Sequence, residues 1–212
     1  MSALPDVKDF DLKATTDLCR SFRKNGIPKN SYHNYTKIYN HLLKDIPNTE
    51  PLNILEVNPD CFVNVEAPNK KLIFQIWKEH FTNSNVFTLN MKSNNIICDL
   101  NLNLVCEQSD EKSIEILFNK PYLDNIKYDL IIENGAKTIQ ENIFLFEKFI
   151  QHDKINKSGI YIIENIHFDD VKYYKSQIVG WKELYKNYDI KFYAVPKFNV
   201  WDNNIIVAKK II

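Results

Sequence analysis

Apolar residues recur at helical spacing through Tyr35, Ile38, Tyr39, Leu42 and Leu43, and Pro47 and Pro51 punctuate the exit from that run. The chain up to about residue 50 is therefore expected to form a helical cap or arm, with residues 51–212 as the main domain. LNILEV (52–57) is a continuous apolar run, the pattern of a strand buried on both faces. A helix is predicted over 69–82, where Leu72, Ile73, Ile76, Trp77 and His80 or Phe81 share one face, and NVFTLNM (85–91) is strand-like. Short β-prone pieces follow, divided by asparagines, with a strand expected over 102–106 and a short helix over 110–118. YDLIIENGAK (128–137) has the form of a buried strand, a turn and a helix start. Ile139, Ile143, Phe146 and Ile150 then mark one face of an amphipathic helix. GIYIIEN (159–165) is a further buried strand, 168–188 a polar final helix, and 190–196 with 204–212 a terminal hairpin.

Strands alternating with helices and ending in a hairpin predict an α/β fold: a Rossmann-like, mostly parallel central sheet with an antiparallel strand at the end. In such sheets ligands gather beyond the carboxyl ends of the strands. That rule selects Glu56 to Asp60, Asn90, Glu107 with Gln108, Glu133 to Lys137, and Glu164 with Asn165.

Composition narrows the chemistry. With 212 residues, 44% hydrophobic and 25% charged, the chain suits one core with an appendage. Its 27 basic and 27 acidic residues cancel, so no global field draws it to nucleic acid or to an anionic membrane. No window approaches the roughly 20 apolar residues of a membrane span, and the expected location is cytoplasmic. Cys19, Cys61, Cys98 and Cys106 lack metal-ligand or disulfide spacing and are expected to be reduced and mostly buried. Glycine is scarce, at 4 residues where average usage of about 7% would give roughly 15, which disfavours a glycine-rich phosphate cradle.

The strand-end segments, in order, resemble the macrocin and mycinamicin sugar O-methyltransferase group of class I S-adenosylmethionine-dependent methyltransferases. Gly26-Ile27-Pro28-Lys29 stands where the group has Gly-Thr-Asp-Lys before a His/Tyr-rich helix, here SYHNYTKIYNHLL (31–43). NILEVN (53–58) imitates the first-strand Leu-Glu-Ile-Gly. Cys106-Glu107-Gln108-Ser109 resembles Gly-Asp-Gln-Ser, Glu133-Asn134-Gly135-Ala136-Lys137 aligns with Asp-Asp-Gly-Ser-His, and Tyr161 to Asn165 with Tyr-Ile-Ile-Glu-Asp.

The resemblance implies S-adenosylmethionine as cofactor, methyl transfer to a hydroxyl of a sugar or small molecule, and a divalent metal. Glu56, Asn58, Asn90, Glu107, Gln108 and Glu133 are the implied cofactor-binding positions, and Lys137 and Glu164 the catalytic candidates. The departures are selective. The glycines that let backbone N–H groups approach a cofactor are replaced over 58–62, where Pro59 has no N–H to give. The metal positions carry Asn134, Glu164 and Asn165, so two of three charges are gone, and a hard cation is expected to bind weakly or not at all. The motif histidine aligns with Lys137, which serves as a base only if its pKa is strongly depressed. Two readings follow: a methyltransferase with weakened motifs, or a catalytically inactive pseudoenzyme kept as a binding or scaffolding module, with a protein partner or a second copy left open. The aromatic run Tyr32, His33, Tyr35 and Tyr39 suits core packing more than a stacking platform, and Trp201 to Asn204 suits a turn.

Overall fold

A computed structural model describes residues 15–27, 29, 33, 35–57, 73–90, 103–105, 115, 118–119, 125–134, 138–194 and 202–211. The elements in chain order are α1 (Asp17–Lys24), α2 (Tyr35–Leu43), β1 (Asn53–Val57), α3 (Ile73–His80), β2 (Asn85–Asn90), β3 (Asn103–Val105), β4 (Tyr128–Glu133), α4 (Ile139–Gln151), β5 (Ile155–Ile166), α5 (Val171–Leu184), β6 (Tyr188–Ala194) and β7 (Asn204–Lys210). A single 3-10 turn, Phe168–Asp170, leads into α5.

The strands form one sheet in the order β3-β2-β1-β4-β5-β7-β6. The pairs β3-β2, β2-β1, β1-β4 and β4-β5 are parallel, whereas β7 runs antiparallel between β5 and β6. Strand order reverses between β1 and β4, which is the topological switch point at which such sheets take ligands.

Period-two alternation sorts the side chains onto two faces. Ile54, Leu130, Ile132, Ile160 and Ile162 pack beneath α1, α2 and α3, among Phe22, Tyr35, Tyr39 and Trp77. Leu55, Val57, Ile131, Tyr161 and Ile163 pack beneath α4 and α5, among Phe146, Phe149, Tyr174 and Trp181. The result is three layers, helix on sheet on helix. Both faces of β1 and β4 are covered, which is why their sequences are continuous apolar runs rather than alternating ones.

Local chemistry sets the boundaries. Thr16 caps α1 by accepting from the Cys19 N–H at 3.1 Å. Thr138 and Glu141 form a reciprocal capping box that starts α4. Ahead of the core of β5, Ser158 takes φ 64° and the β4-β5 register slips between Tyr128 and Leu130. A Cβ on Gly159 would stand 2.8 Å from both the Asn156 and the Tyr128 carbonyl oxygens, so only glycine fits that approach.

The strand over 159–165 is longer than expected, beginning at Ile155 across this bulge. The final helix is shorter than expected. It stops at Leu184, and β6 opens at Tyr188, whose ring is buried. Tyr188 supplies burial that a polar helical pattern does not reveal. The expected helix over 110–118 lies mostly outside the described residues. No helix among the described residues is long and apolar enough to cross a membrane.

Candidate functional site

Glu56 is the fourth residue of β1, and its register partner in β4 is Ile132. Its side chain therefore points to the face covered by α1, α2 and α3, where it is fully buried. Trp77 Nε1 of α3 donates to Glu56 Oε1 at 2.6 Å. Lys29 Nζ lies 3.4 Å from Glu56 Oε2 and 2.5 Å from Glu164 Oε2, with the Tyr39 hydroxyl at 3.4 Å. Lys29 is 1% exposed, so its ammonium is an internal charge whose stability depends on these partners. Burial raises the Glu164 carboxyl above its ordinary range, and Lys29 pulls it back toward ionisation. Glu164 Oε1 is buried and accepts no hydrogen bond among the described residues.

Next to this charge cluster, the ends of β4 and β5 are fastened by amides. Asn165 Nδ2 donates to Asn134 Oδ1, and the Asn134 N–H donates to the Val57 carbonyl at 3.0 Å. Asn165 has φ 57°, a left-handed conformation that asparagine tolerates better than most residues, at a register shift between Ile163 and Ile166. The shift takes the Asn165 N–H out of the ladder. It donates instead to the Tyr35 hydroxyl at 3.1 Å, and that hydroxyl donates to the Asp202 carbonyl at 2.8 Å. The His33 ring stacks on Tyr35 at 4.8 Å and 7°, with its Nδ1 3.8 Å from Asp202 Oδ1. The N-terminal layer thus reaches over the carboxyl edge and is bonded to it at Lys29 and at Tyr35.

Glu133 stands apart from this group. It precedes Asn134 by one residue and so faces the opposite side of the sheet, where Tyr161 Oη donates to its Oε2 at 2.6 Å. Among the described residues its Oε1 has no hydrogen-bond partner and no cation is bonded to it. Burial raises its pKa from 4.5 to about 8, so it holds a proton at neutral pH. In the same layer Asn142 Nδ2 donates to Tyr174 Oη at 2.8 Å.

Of the residues selected from sequence, Glu56 and Glu164 are brought together, and Glu133 is placed on the other face. Asn90 ends β2. Asn58, Glu107, Gln108 and Lys137 lie outside the described residues. Lys29 was not among the selected residues, although its match to the lysine of the Gly-Thr-Asp-Lys segment was the available signal. Trp77 was assigned to a packing face, and its indole N–H, which needs an acceptor when buried, was the clue to Glu56.

The divalent cation implied by the resemblance does not fit the residues present. Asn134 and Asn165 are neutral and satisfy each other, and the Glu164 carboxylate is held by Lys29. For the implied nucleoside cofactor the reversal of strand order between β1 and β4 is in place. Glu56, however, is already bonded through both oxygens, to Trp77 and to Lys29.

No family model matches the chain, and no curated protein matches it in sequence. Solved structures do match in fold. The MycE methyltransferase of the mycinamycin pathway, in complex with Mg, SAH and mycinamycin VI, matches with TM-score 0.64 and 15% identity over 93% of this chain. This chain spans 55% of that protein's length. An O-methyltransferase from Bacillus cereus in complex with SAH matches with TM-score 0.51 and 15% identity, covering 96% of this chain and 94% of that one. An rRNA methylase from Streptococcus thermophilus gives TM-score 0.50 and 11% identity, over 84% of this chain and 96% of that one. Reversed strand order between β1 and β4, the antiparallel β7 inserted beside β5 and these structural matches together show that the chain has the Rossmann-like fold of S-adenosylmethionine-dependent methyltransferases.

Proposed function

We propose that this protein binds S-adenosylmethionine, or its demethylated product S-adenosylhomocysteine, at the carboxyl edge of the sheet and does not transfer the methyl group efficiently. The supporting observation is the engagement of Lys29 with both strand-end acids of that edge, Glu56 and Glu164. Methyl transfer to an alcohol needs a group that takes the hydroxyl proton as the oxygen attacks. A carboxylate already paired with an internal ammonium is a weak base for that purpose, because protonating it would strand the ammonium in a buried site. The nucleoside contacts in this reading come from Asn90 at the end of β2 and from Asn58, Glu107 and Gln108 in the segments after the strands. The bound cofactor would supply an electrophilic methyl sulfonium, and the chain would hold it without activating an acceptor.

A second reading is favoured by one atom. Glu164 Oε1 is buried without a partner and would accept the proton of a sugar or small-molecule hydroxyl, which makes the protein a metal-free O-methyltransferase. Release of S-adenosylhomocysteine from S-adenosylmethionine, followed over a panel of hydroxylated sugars and small alcohols, separates the two. The first reading expects no release above the protein-free rate. Release that is abolished in Glu164→Gln would replace it with the second.

A further inference from the structure

We infer that this strand-end edge has exchanged a divalent cation for its own side chains: the Lys29 ammonium supplies the positive charge, and the Asn134–Asn165 amide contact fastens β4 to β5. The inference concerns the edge itself and does not depend on nucleoside binding.

Three observations carry it. Asn134, Glu164 and Asn165 converge at the ends of two adjacent parallel strands, and the two amides are in direct contact, so oxygens at these positions lie close enough to share one small ion. A hard cation needs charged oxygens at about 2.0–2.6 Å, and here only Glu164 is charged. Its bonded oxygen is 2.5 Å from Lys29 Nζ, which has the sign of charge a cation would bring. The second acid, Glu56, lies 3.4 Å from the same nitrogen, so one ammonium is shared between the two acids. A cation entering this edge would have to displace the ammonium and separate the amides, in return for a neutral asparagine oxygen as ligand.

The Asn165 backbone favours a reversible exchange. Its left-handed φ of 57° is tolerated by aspartate as well as by asparagine, so Asn165→Asp keeps the backbone and restores a charge. Asn134→Asp is equally near in shape. The double variant N134D/N165D sets three carboxylates together and turns the hydrogen bond between the amides into a repulsion that a cation relieves.

Manganese titration followed by electron paramagnetic resonance tests this, because only free Mn2+ gives the full six-line signal. In the wild-type chain the signal is expected to grow as in buffer. In N134D/N165D it is expected to be suppressed until one ion per chain is bound, and Mn2+ should raise the melting temperature of the variant and not of the wild type. Suppression by the wild-type chain equal to that of the variant would overturn the inference. So would a double variant with native circular dichroism that leaves Mn2+ free. If the double variant does not fold, N165D alone carries the thermal test, and equal Mn2+ stabilisation of wild type and N165D overturns the inference.

Discussion

Two carboxylates meet one ammonium inside the molecule, and removing the ammonium leaves both uncompensated. Lys29→Met should therefore lower the unfolding free energy by about 3–5 kcal/mol, measured in urea. Lys29→Met with Glu164→Gln should recover part of that loss, because one of the stranded charges has gone. A Lys29→Met loss below about 1 kcal/mol would show that the pair does not form in solution. Glu133 makes the opposite case, a buried acid with no cation bonded to it. Its folded pKa lies near 8 against 4.5 for the free side chain, so between those values the folded chain holds a proton that the unfolded chain has released. Stability conferred by the proton is complete below pH 4.5 and declines by about 1.4 kcal/mol per pH unit through the window, levelling off above about pH 8. Glu133→Gln should flatten that decline in urea titrations at successive pH values. An unchanged slope would mean that Glu133 ionises normally.

At the scale of elements, β5 shows how much position depends on one small residue. A Cβ at Gly159 would meet two backbone carbonyls, which cannot swing aside as a side chain can. Gly159→Ala should cost about 1–3 kcal/mol by chemical denaturation. Thr138→Ala, which opens the capping box of α4, should cost about 1 kcal/mol. The same elements show what was legible in the sequence. β1, β4 and the core of β5 were visible as apolar runs, because burial on both faces leaves no polar positions to confuse the pattern. α4 was visible from its stepped isoleucines and phenylalanine. The start of β5 and the end of α5 were misplaced, because a bulge at Ser158 and the burial of Tyr188 depend on neighbours far along the chain. Glu56 and Glu164 stand at strand ends, which is what selects them from the sequence, and the structure brings them together on Lys29. Glu133 was grouped with them because sequence position does not state which face a strand-end residue takes, and alternation put it one residue out of phase. Lys29 was missed because a lysine beside a proline has the sequence character of a solvated loop residue until tertiary contacts bury it.

For the whole molecule, the three-layer fold reverses strand order between β1 and β4, and the N-terminal layer is bonded to the carboxyl edge through Lys29 and Tyr35. Fold and edge chemistry therefore point in different directions. The fold is that of methyltransferases, while the edge holds its acids in an internal ion cluster and joins Asn134 to Asn165 by a hydrogen bond between their amides. That combination is what a nucleoside-binding protein with little or no transfer activity would have. Isothermal calorimetry of the full chain with S-adenosylhomocysteine, in magnesium and in EDTA, tests it most directly. The account expects saturable binding with a sub-millimolar Kd that is the same in both buffers. Absence of binding at millimolar nucleoside, or binding that requires magnesium, would contradict it.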